Sequence, residues 1–286
     1  MLPFPVRNPK LLDEFTPYLV ATPFNLPSLN LAPFGVPVPP ENIIDPLRLE
    51  SEVFLRLLHR LDGLTFGPEG MPMPRWVFFD CSELPGAIYG LARPAATLWP
   101  KARELFKVPP DYDGLVPVSM YVAIPMYRPG IWFGHNLSSL APVFERAAVT
   151  DVDLRGLGSL TKGLALKCFG VQEFWGATQW LSKALYIHAK FGALDLQTAY
   201  TPAHSEHETL TYGFRVTDDG LRASMGDPGI ILNRPQPTFW LEGHDVSGMQ
   251  ALQDRIEAGE RYVIPDAPRA TPDGGVLVPI TRLSDT

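Results

Sequence analysis

The chain has 286 residues, of which 45% are hydrophobic and 19% charged, and its formal net charge is −7 at pH 7. This acidic balance, without any basic run or stripe, argues against nucleic acid as a partner, because phosphate binding needs concentrated Lys and Arg. No window approaches the roughly 18 consecutive apolar residues of a membrane-spanning helix, so we expect no membrane partner.

The cysteines and the first residues indicate where the protein resides. Cys81 and Cys168 lie far apart and outside any CxxC pattern, which is typical of reduced, buried cysteines in an intracellular protein. The first twelve residues are interrupted by proline and do not resemble a secretion signal. We therefore expect a cytoplasmic location.

The first segment of the chain is rich in proline and in apolar residues. Of the 31 prolines, 11 fall within the first 46 residues, among Phe, Leu and Val side chains and few charges. A disordered linker is normally polar. We predict an extended apolar arm over residues 1–45, followed by a single β-rich domain over residues 46–286. The arm packs either on its own body or on a neighbouring subunit, and the second option favours a homo-oligomer.

Two helices are predicted from their caps and their apolar spacing. The first begins at Asp45-Pro46, an acidic N-cap followed by proline, and ends at Gly63. The second has a capping box formed by Ser247 and Gln250 and ends at Gly259.

Most of the remaining segments predict strands, because they are rich in β-branched and aromatic residues and are bounded by Pro or Gly. They are Trp76–Asp80, Ala87–Leu91, Val116–Met126, Ala184–Lys190 and Ala193–Tyr200. A helix over residues 178–190 fits the sequence as well. Strand and helix do not alternate along the chain, so we predict an α+β fold dominated by β-structure rather than a doubly wound parallel sheet.

Lys162 is the first candidate for chemistry. It lies within RGLGSLTKGLALK, residues 155–167, among leucines. Apolar surroundings lower the pKa of a lysine, and the neutral amine can form a Schiff base with a ketone. The alternative is a lysine whose ammonium group reaches water from an amphipathic element.

The same stretch supports a second hypothesis. Residues 155–160, RGLGSL, resemble the acetyl-CoA pyrophosphate loop of the GNAT N-acetyltransferases, Q/R-x-x-G-x-G/A, although Leu160 replaces the final small residue. Small residues let backbone N–H groups approach phosphates. This resemblance implies parallel, splayed strands and CoA binding at residues 155–160.

Two further polar clusters are candidate binding sites. His135 and Asn136, within WFGHN, are candidates for lining a pocket. His204, His207 and Glu208 could hold a metal, but they lack helical i, i+4 spacing, so a polar surface loop is the favoured interpretation and no metal site is predicted.

The order of features along residues 75–235 resembles the acetoacetate decarboxylase family. In this resemblance Lys162 stands at the Schiff-base lysine and Arg155 at the motif arginine, while Asn136 and Tyr121 replace two family glutamates. The supporting segments are Val108–Pro110, Val116–Met126, Gly130–Asn136, Arg155–Lys162 and Phe191–Ala199. The family fold implied is a cone-shaped β-barrel with flanking helices, an internal pocket and a multimeric assembly.

The leading hypothesis is therefore a decarboxylase-like lyase that acts on a small carbonyl or keto-acid substrate through a Lys162 Schiff base. Arg155, His135, Asn136 and Tyr121 would bind the substrate, and neither a metal nor an organic cofactor would be needed. The alternatives are an acyl-CoA-dependent N-acetyltransferase and a non-catalytic barrel that binds a small molecule. A closed barrel into which Lys162 points favours the first hypothesis, and a long helix that follows Arg155 and opens from a strand end favours the transferase.

Overall fold

In a computed structural model, the protein is described over residues 2–143, 149–150, 152–201, 207–272 and 274–284. The chain forms two compact units. The first comprises Met1–Met126, His135–Val171 and Met225–Asp227, and the second comprises Tyr127–Gly134, Gln172–Ser224 and Pro228–Thr286. None of the helices in the described ranges combines the length and the apolar character that crossing a bilayer requires.

The helices are short except for three of them. They are α1 (Leu11–Glu14), α2 (Glu52–Phe66), α3 (Arg75–Phe78), α4 (Pro100–Phe106), α5 (Leu157–Cys168), α6 (Ala184–His188), α7 (Asp218–Met225) and α8 (Val246–Glu257). A π-helical turn, Phe79–Glu83, follows α3 directly.

The strands occur in both units. They are β1 (Thr16–Val20), β2 (Ile43–Ile44), β3 (Ile88–Pro94), β4 (Leu115–Pro125), β5 (Ile131–Ser139), β6 (Glu173–Gln179), β7 (Leu194–Thr198), β8 (Thr209–Arg215), β9 (Phe239–Glu242), β10 (Tyr262–Ile264), β11 (Arg269–Ala270) and β12 (Val276–Arg282).

In the first unit, β4 pairs with β3, β3 with β1, and β1 with β2, and only the last pair is parallel. In the second unit the order is β5, β6, β8, β7, β10 and β12, and both β9 and β11 pair with β12. The β5–β6 pair is parallel and the others are antiparallel. The strand order ends at β2 and β11, and no pairing among the described residues joins these two strands. The sheet is therefore open and mixed, and the predicted closed, cone-shaped β-barrel is wrong.

The core of the first unit lies on both sides of β4. Ser119 and Tyr121 face α5, since the Ser119 hydroxyl lies 2.6 Å from that of Thr161 and the Tyr121 ring lies beside Lys162. The alternate residues of β4 are also buried, and α2 packs against the same strand. This explains why β4 reads as a nearly continuous apolar run.

Residues 1–45 lie in the first unit, and β1 pairs along its full length with β3. Several of their apolar side chains, including Leu11, Phe15 and Tyr18, are buried. The division into an arm over residues 1–45 and one domain over residues 46–286 stays a prediction, as does the homo-oligomer.

Several local predictions need correction. Residues 76–80 form α3 and the π-helical turn rather than a strand, because Pro74 precedes the helix start and cannot donate to a ladder. Residues 184–188 are helical, and the Ser182 hydroxyl accepts the Ala184 N–H at 3.1 Å, so only β7 remains of the predicted hairpin.

The two predicted helices exist with different bounds. α2 begins at Glu52, because Asp45 instead closes a local turn by accepting the Leu47 N–H at 3.0 Å, and it continues through Gly63, the predicted end, to Phe66. α8 is capped by Asp245, whose carboxylate accepts the Gly248 N–H at 2.9 Å, rather than by Ser247. Gly259 follows the end of α8 in the left-handed conformation, as predicted.

Candidate functional site

The residue before α5 is a glycine, Gly156, and its backbone conformation would be strained for almost any other residue. Gly156 precedes the first helical residue with φ +90° and ψ −6°, a left-handed conformation. The helix then runs for 12 residues from Leu157. The transferase hypothesis predicted a long helix after Arg155 that opens from a strand end; the helix is present, but the preceding strand β5 already ends at Ser139.

Gly158 brings the first turn of α5 close to the end of β5. A Cβ atom at Gly158 would lie 3.6 Å from Cβ of Ser139 and 3.7 Å from Cδ2 of Leu137. The Gly158 N–H donates to no residue that the structure describes, whereas the Leu160 N–H already donates to Gly156 O at 2.9 Å. The Leu160 side chain is buried in the core. The first turn, and not residue 160, therefore presents an N–H group to an anion.

Two arginines lie around this turn. The Arg7 side chain passes Gly156, where a Cβ atom would lie 3.7 Å from its Cβ and Cδ atoms. Arg155 is exposed and binds Asp153 through both Nε and Nη2, the latter at 2.7 Å from Oδ2. These hydrogen bonds from Arg155 lower the pKa of the Asp153 carboxyl to about 2, so Asp153 is ionised at neutral pH.

Asn136 connects a buried carboxylate to an exposed imidazole. Its Nδ2 donates to Oδ1 of Asp62 at 2.7 Å, and its Oδ1 lies 2.8 Å from Nδ1 of His135. Since that Oδ1 can only accept, Nδ1 of His135 carries the proton, and Nε2 of the neutral ring is left as an acceptor. The Met73 N–H also binds Asp62, at 2.8 Å.

Burial sets the ionisation of Asp62. The side chain is fully buried in α2, and this desolvation raises the pKa of the Asp62 carboxyl, while the hydrogen bonds from Met73 and Asn136 oppose the rise. A carboxylate held in this way fixes the orientation of the amide and, through it, of the imidazole.

The face of β5 that carries His135 leads toward α5. Residues 135, 137 and 139 share one face of the strand by alternation, and all three are exposed or half-buried, whereas residues 136 and 138 are buried. Because Leu137 and Ser139 lie against Gly158, this strip joins the imidazole to the first turn of α5. The first unit therefore brings the imidazole of His135 and the N-terminus of α5 to the same face of β5.

Lys162 lies further along α5, inside the core. Its side chain is fully buried, its Nζ lies 5.4 Å from the centre of the Tyr121 ring, and burial lowers its pKa well below the usual 10.5. The structure thus places Lys162 with Tyr121, and His135 with Asn136. Arg155 contacts Asp153 instead of any of these four residues.

Sequence reasoning missed Asp62, Asp153 and Arg7. Asp62 had a usable signal, because it follows Leu58 and Leu61 on the apolar stripe of α2, where an unpaired carboxylate is unusual. Arg7 and Asp153 carry no comparable signal, since both are exposed; Arg7 reaches Gly156 only through the tertiary fold, and Asp153 contacts Arg155.

The predicted metal alternative falls partly outside the described residues, because His204 lies there. Among the residues that the structure does describe, no three His, Cys, Asp or Glu side chains are arranged to hold a metal ion.

Comparison with known proteins gives few matches. No family model matches the chain, and no curated protein matches it. One similar solved structure is a NatC complex bound to Gag peptide and CoA, with 13% sequence identity, coverage of 60% of this chain and 97% of that chain, and a TM-score of 0.39. A second is an aminoglycoside 6'-acetyltransferase type Ii, with 14% identity, coverage of 61% of this chain and 97% of that chain, and a TM-score of 0.36. A third is a protein assigned to the GNAT acetyltransferase family from Desulfovibrio desulfuricans, with 11% identity, coverage of 60% of this chain and 96% of that chain, and a TM-score of 0.35.

These TM-scores are low, so we argue function from the residues of this chain alone. None of the three structures is an acetoacetate decarboxylase. With the sheet open, the predicted lyase barrel has no counterpart in the structure, and the resemblance to that family is not supported.

Proposed function

We propose that the chain transfers an acyl group from coenzyme A to an amine, with the CoA phosphates at the N-terminus of α5 and His135 as the base. The observation that carries this proposal is the first turn of α5, where the Arg7 side chain lies beside the left-handed Gly156 and the Gly158 N–H has no acceptor among the described residues. An exposed helix N-terminus with N–H donors and a positive dipole end favours phosphate. The resemblance of residues 155–160 to the acetyl-CoA loop supports the same assignment.

The neighbouring elements fit this use of the turn. The chain enters α5 after β5 and then returns as β6, which pairs in parallel with β5. The transferase hypothesis predicted parallel strands, and this pair is parallel, although α5 itself packs on the antiparallel pair β3–β4. The lack of a side chain at Gly158 lets the first turn of α5 pack against Ser139 and Leu137, on the β5 face that also carries His135.

The reaction needs a base, because an amine attacks only after losing its ammonium proton. Nε2 of His135 accepts that proton, the amine nitrogen attacks the thioester carbonyl carbon, and the carbon–sulfur bond breaks. The products are an amide and CoA, whose sulfur takes up a proton as the thiol. Asp62 and Asn136 act as positioning residues that keep Nδ1 of His135 protonated.

Acetyl-CoA with a panel of primary amines, assayed by thiol release, tests the proposal. We expect turnover with at least one amine and a loss of about 100-fold or more in kcat for His135→Gln. The matched control is His244→Gln, an exposed histidine of the second unit. If CoA binds tightly but no amine is acylated, the non-catalytic binding hypothesis replaces transfer. If CoA does not bind, both fail.

No step of this reaction passes through Lys162, and its Schiff-base role stays a prediction. The low pKa caused by burial supports a neutral amine, but a carbonyl substrate is not supported by any other observation. Borohydride trapping with small keto acids, read by peptide mass spectrometry, decides this point. An adduct on residue 162 that Lys162→Ala abolishes would establish imine chemistry.

A further inference from the structure

The second unit contains a cleft that the proposed transfer reaction does not use. It has a volume of about 380 Å³ and is lined by residues of the β5 start and of β6, β7 and β8. Its charged and aromatic lining comprises Glu173, Asp195, Arg128, Arg215, Trp175 and Gln197. Binding pockets for small molecules typically have volumes of about 300 to 1,000 Å³.

Strand alternation builds the floor of this cleft. Residues 173 and 175 of β6, 195 and 197 of β7, and 213 and 215 of β8 point to one face of the sheet. The residues between them, such as Phe174, Tyr212 and Phe214, are buried on the opposite face. Gly213 is paired with both Trp175 and Asp195, so the middle of the floor carries no side chain. The surrounding side chains thus enclose an open space over Gly213.

The carboxylates of Glu173 and Asp195 each have at least one oxygen atom without a hydrogen bond from the described residues. Nε1 of Trp175 donates to Oε1 of Glu173 at 2.7 Å, which fixes the carboxylate and leaves its second oxygen available. Asp195 is half-buried, and its carboxylate accepts no hydrogen bond from any residue that the structure describes. Desolvation raises the pKa of Asp195, while the more distant charge of Arg261 lowers it. A bound ammonium group would relieve this desolvation.

The arginines of the cleft are not neutralised by these acids. Glu173 and Arg215 lie directly opposite each other on β6 and β8, yet they form no ion pair. Within the described residues, the Arg215 guanidinium has no acidic partner at all. Among the described residues, the Arg128 guanidinium forms no ion pair, and it donates a hydrogen bond to the hydroxyl of the neighbouring Tyr127 at 3.1 Å. Because the carboxylates and the guanidinium groups of the cleft do not pair with each other, groups of both charges can contact a ligand.

We propose that this cleft binds a free α-amino acid as its zwitterion. The ammonium group contacts Asp195 and the free oxygen of Glu173, and the carboxylate contacts Arg215 and Arg128. The Trp175 ring forms an apolar wall for the side chain. Charge-assisted hydrogen bonds of both signs in one site select a zwitterion over a simple amine or a simple acid. This inference concerns binding only and does not depend on CoA.

Calorimetric titration of the wild-type protein with each of the common L-amino acids tests the proposal. We expect saturable binding of at least one of them. Its N-acetyl derivative, which lacks the ammonium charge, and its amide, which lacks the carboxylate, should each bind at least about tenfold more weakly. These comparisons use unaltered protein, so they do not depend on how well any variant folds.

Matched variants then locate the site. Asp195→Asn and Arg215→Gln should weaken binding at least about tenfold, whereas Asp254→Asn and Arg56→Gln, which change the same charges at exposed positions elsewhere, should not. The proposal is overturned if no amino acid binds at millimolar concentration, if the blocked derivatives bind as well as the parent, or if Asp195→Asn and Asp254→Asn behave alike.

Discussion

Gly156→Ala is the most informative single change at the proposed phosphate site. The residue has φ +90° and ψ −6°, and a Cβ atom there would lie at ordinary contact distance, 3.7 Å, from the Arg7 side chain. The cost is therefore torsional and not steric. A non-glycine residue in the left-handed region costs about 1 to 2 kcal/mol.

Gly158→Ala is the matched control, because Gly158 lies two residues further along in helical conformation and an added Cβ at either glycine makes only ordinary contacts. An added Cβ at position 158 makes only ordinary contacts, at 3.6 Å and more, with Ser139 and Leu137. Alanine is favoured over glycine in a helix by up to about 1 kcal/mol. Gly156→Asn should recover most of the loss at position 156, since asparagine tolerates the left-handed conformation.

Urea unfolding of the three variants measures these differences. We expect the Gly156→Ala midpoint to fall by the equivalent of about 1 to 2 kcal/mol, with Gly158→Ala unchanged or slightly raised. CoA affinity should fall with Gly156→Ala as well, because the first turn of α5 must shift. Equal midpoints for Gly156→Ala and the wild type, or a greater loss in Gly158→Ala, would refute this reasoning.

Three further predictions concern the base, the buried lysine and the sheet. Asn136→Ala should lower kcat and leave the KM for acetyl-CoA unchanged, because it frees the His135 ring without touching the donor; a change in KM alone would count against the assignment. Burial lowers the pKa of Lys162, so the unfolded state binds one more proton than the folded state. The free energy of unfolding should therefore rise with pH toward 10.5, by at most about 1.4 kcal/mol per pH unit. Lys162→Met should abolish this slope in denaturant titrations, and an unchanged slope would contradict the buried position of Lys162. Gly90→Ala should destabilise the folded protein by about 3 kcal/mol or more, because the added Cβ atom would overlap the Ser119 carbonyl oxygen. Gly63→Ala is the control and should not destabilise the protein, because a Cβ atom there meets no neighbour. Equal thermal stability of the two variants would refute the packing of β3 against β4.

The sequence predicted a feature correctly where neighbouring residues alone determine it. The strands β3 and β4 lie close to their predicted ranges, because β-branched and aromatic residues between Pro and Gly form strands in almost any sheet. The apolar neighbours of Lys162 correctly indicated a lowered pKa. Both inferences need only neighbouring residues.

Long-range pairing could not be inferred in the same way. The barrel was implied by the order of segments along the chain, but strand order in a sheet depends on pairings that no segment specifies. Residues 76–80 look like a strand by composition, yet Trp76 is exposed and Phe78 buried, which suits a helical turn after proline. Tertiary context overrode propensity at that position.

The cleft in the second unit was missed because its residues are spread over three strands. Glu173 and Trp175, and likewise Asp195 and Gln197, alternate with buried apolar residues, which indicates one polar face on each strand. Only the pairing of β6, β8 and β7 brings these faces together over Gly213.

Hydrogen–deuterium exchange with and without CoA, with pantetheine as the matched ligand that lacks the phosphates, tests whether the first turn of α5 binds the CoA phosphates. We expect slower exchange of the amides in this turn, residues 157–160, on CoA binding, and no such change with pantetheine. Equal protection by both ligands, or protection confined to other segments, would contradict a phosphate site at Gly156.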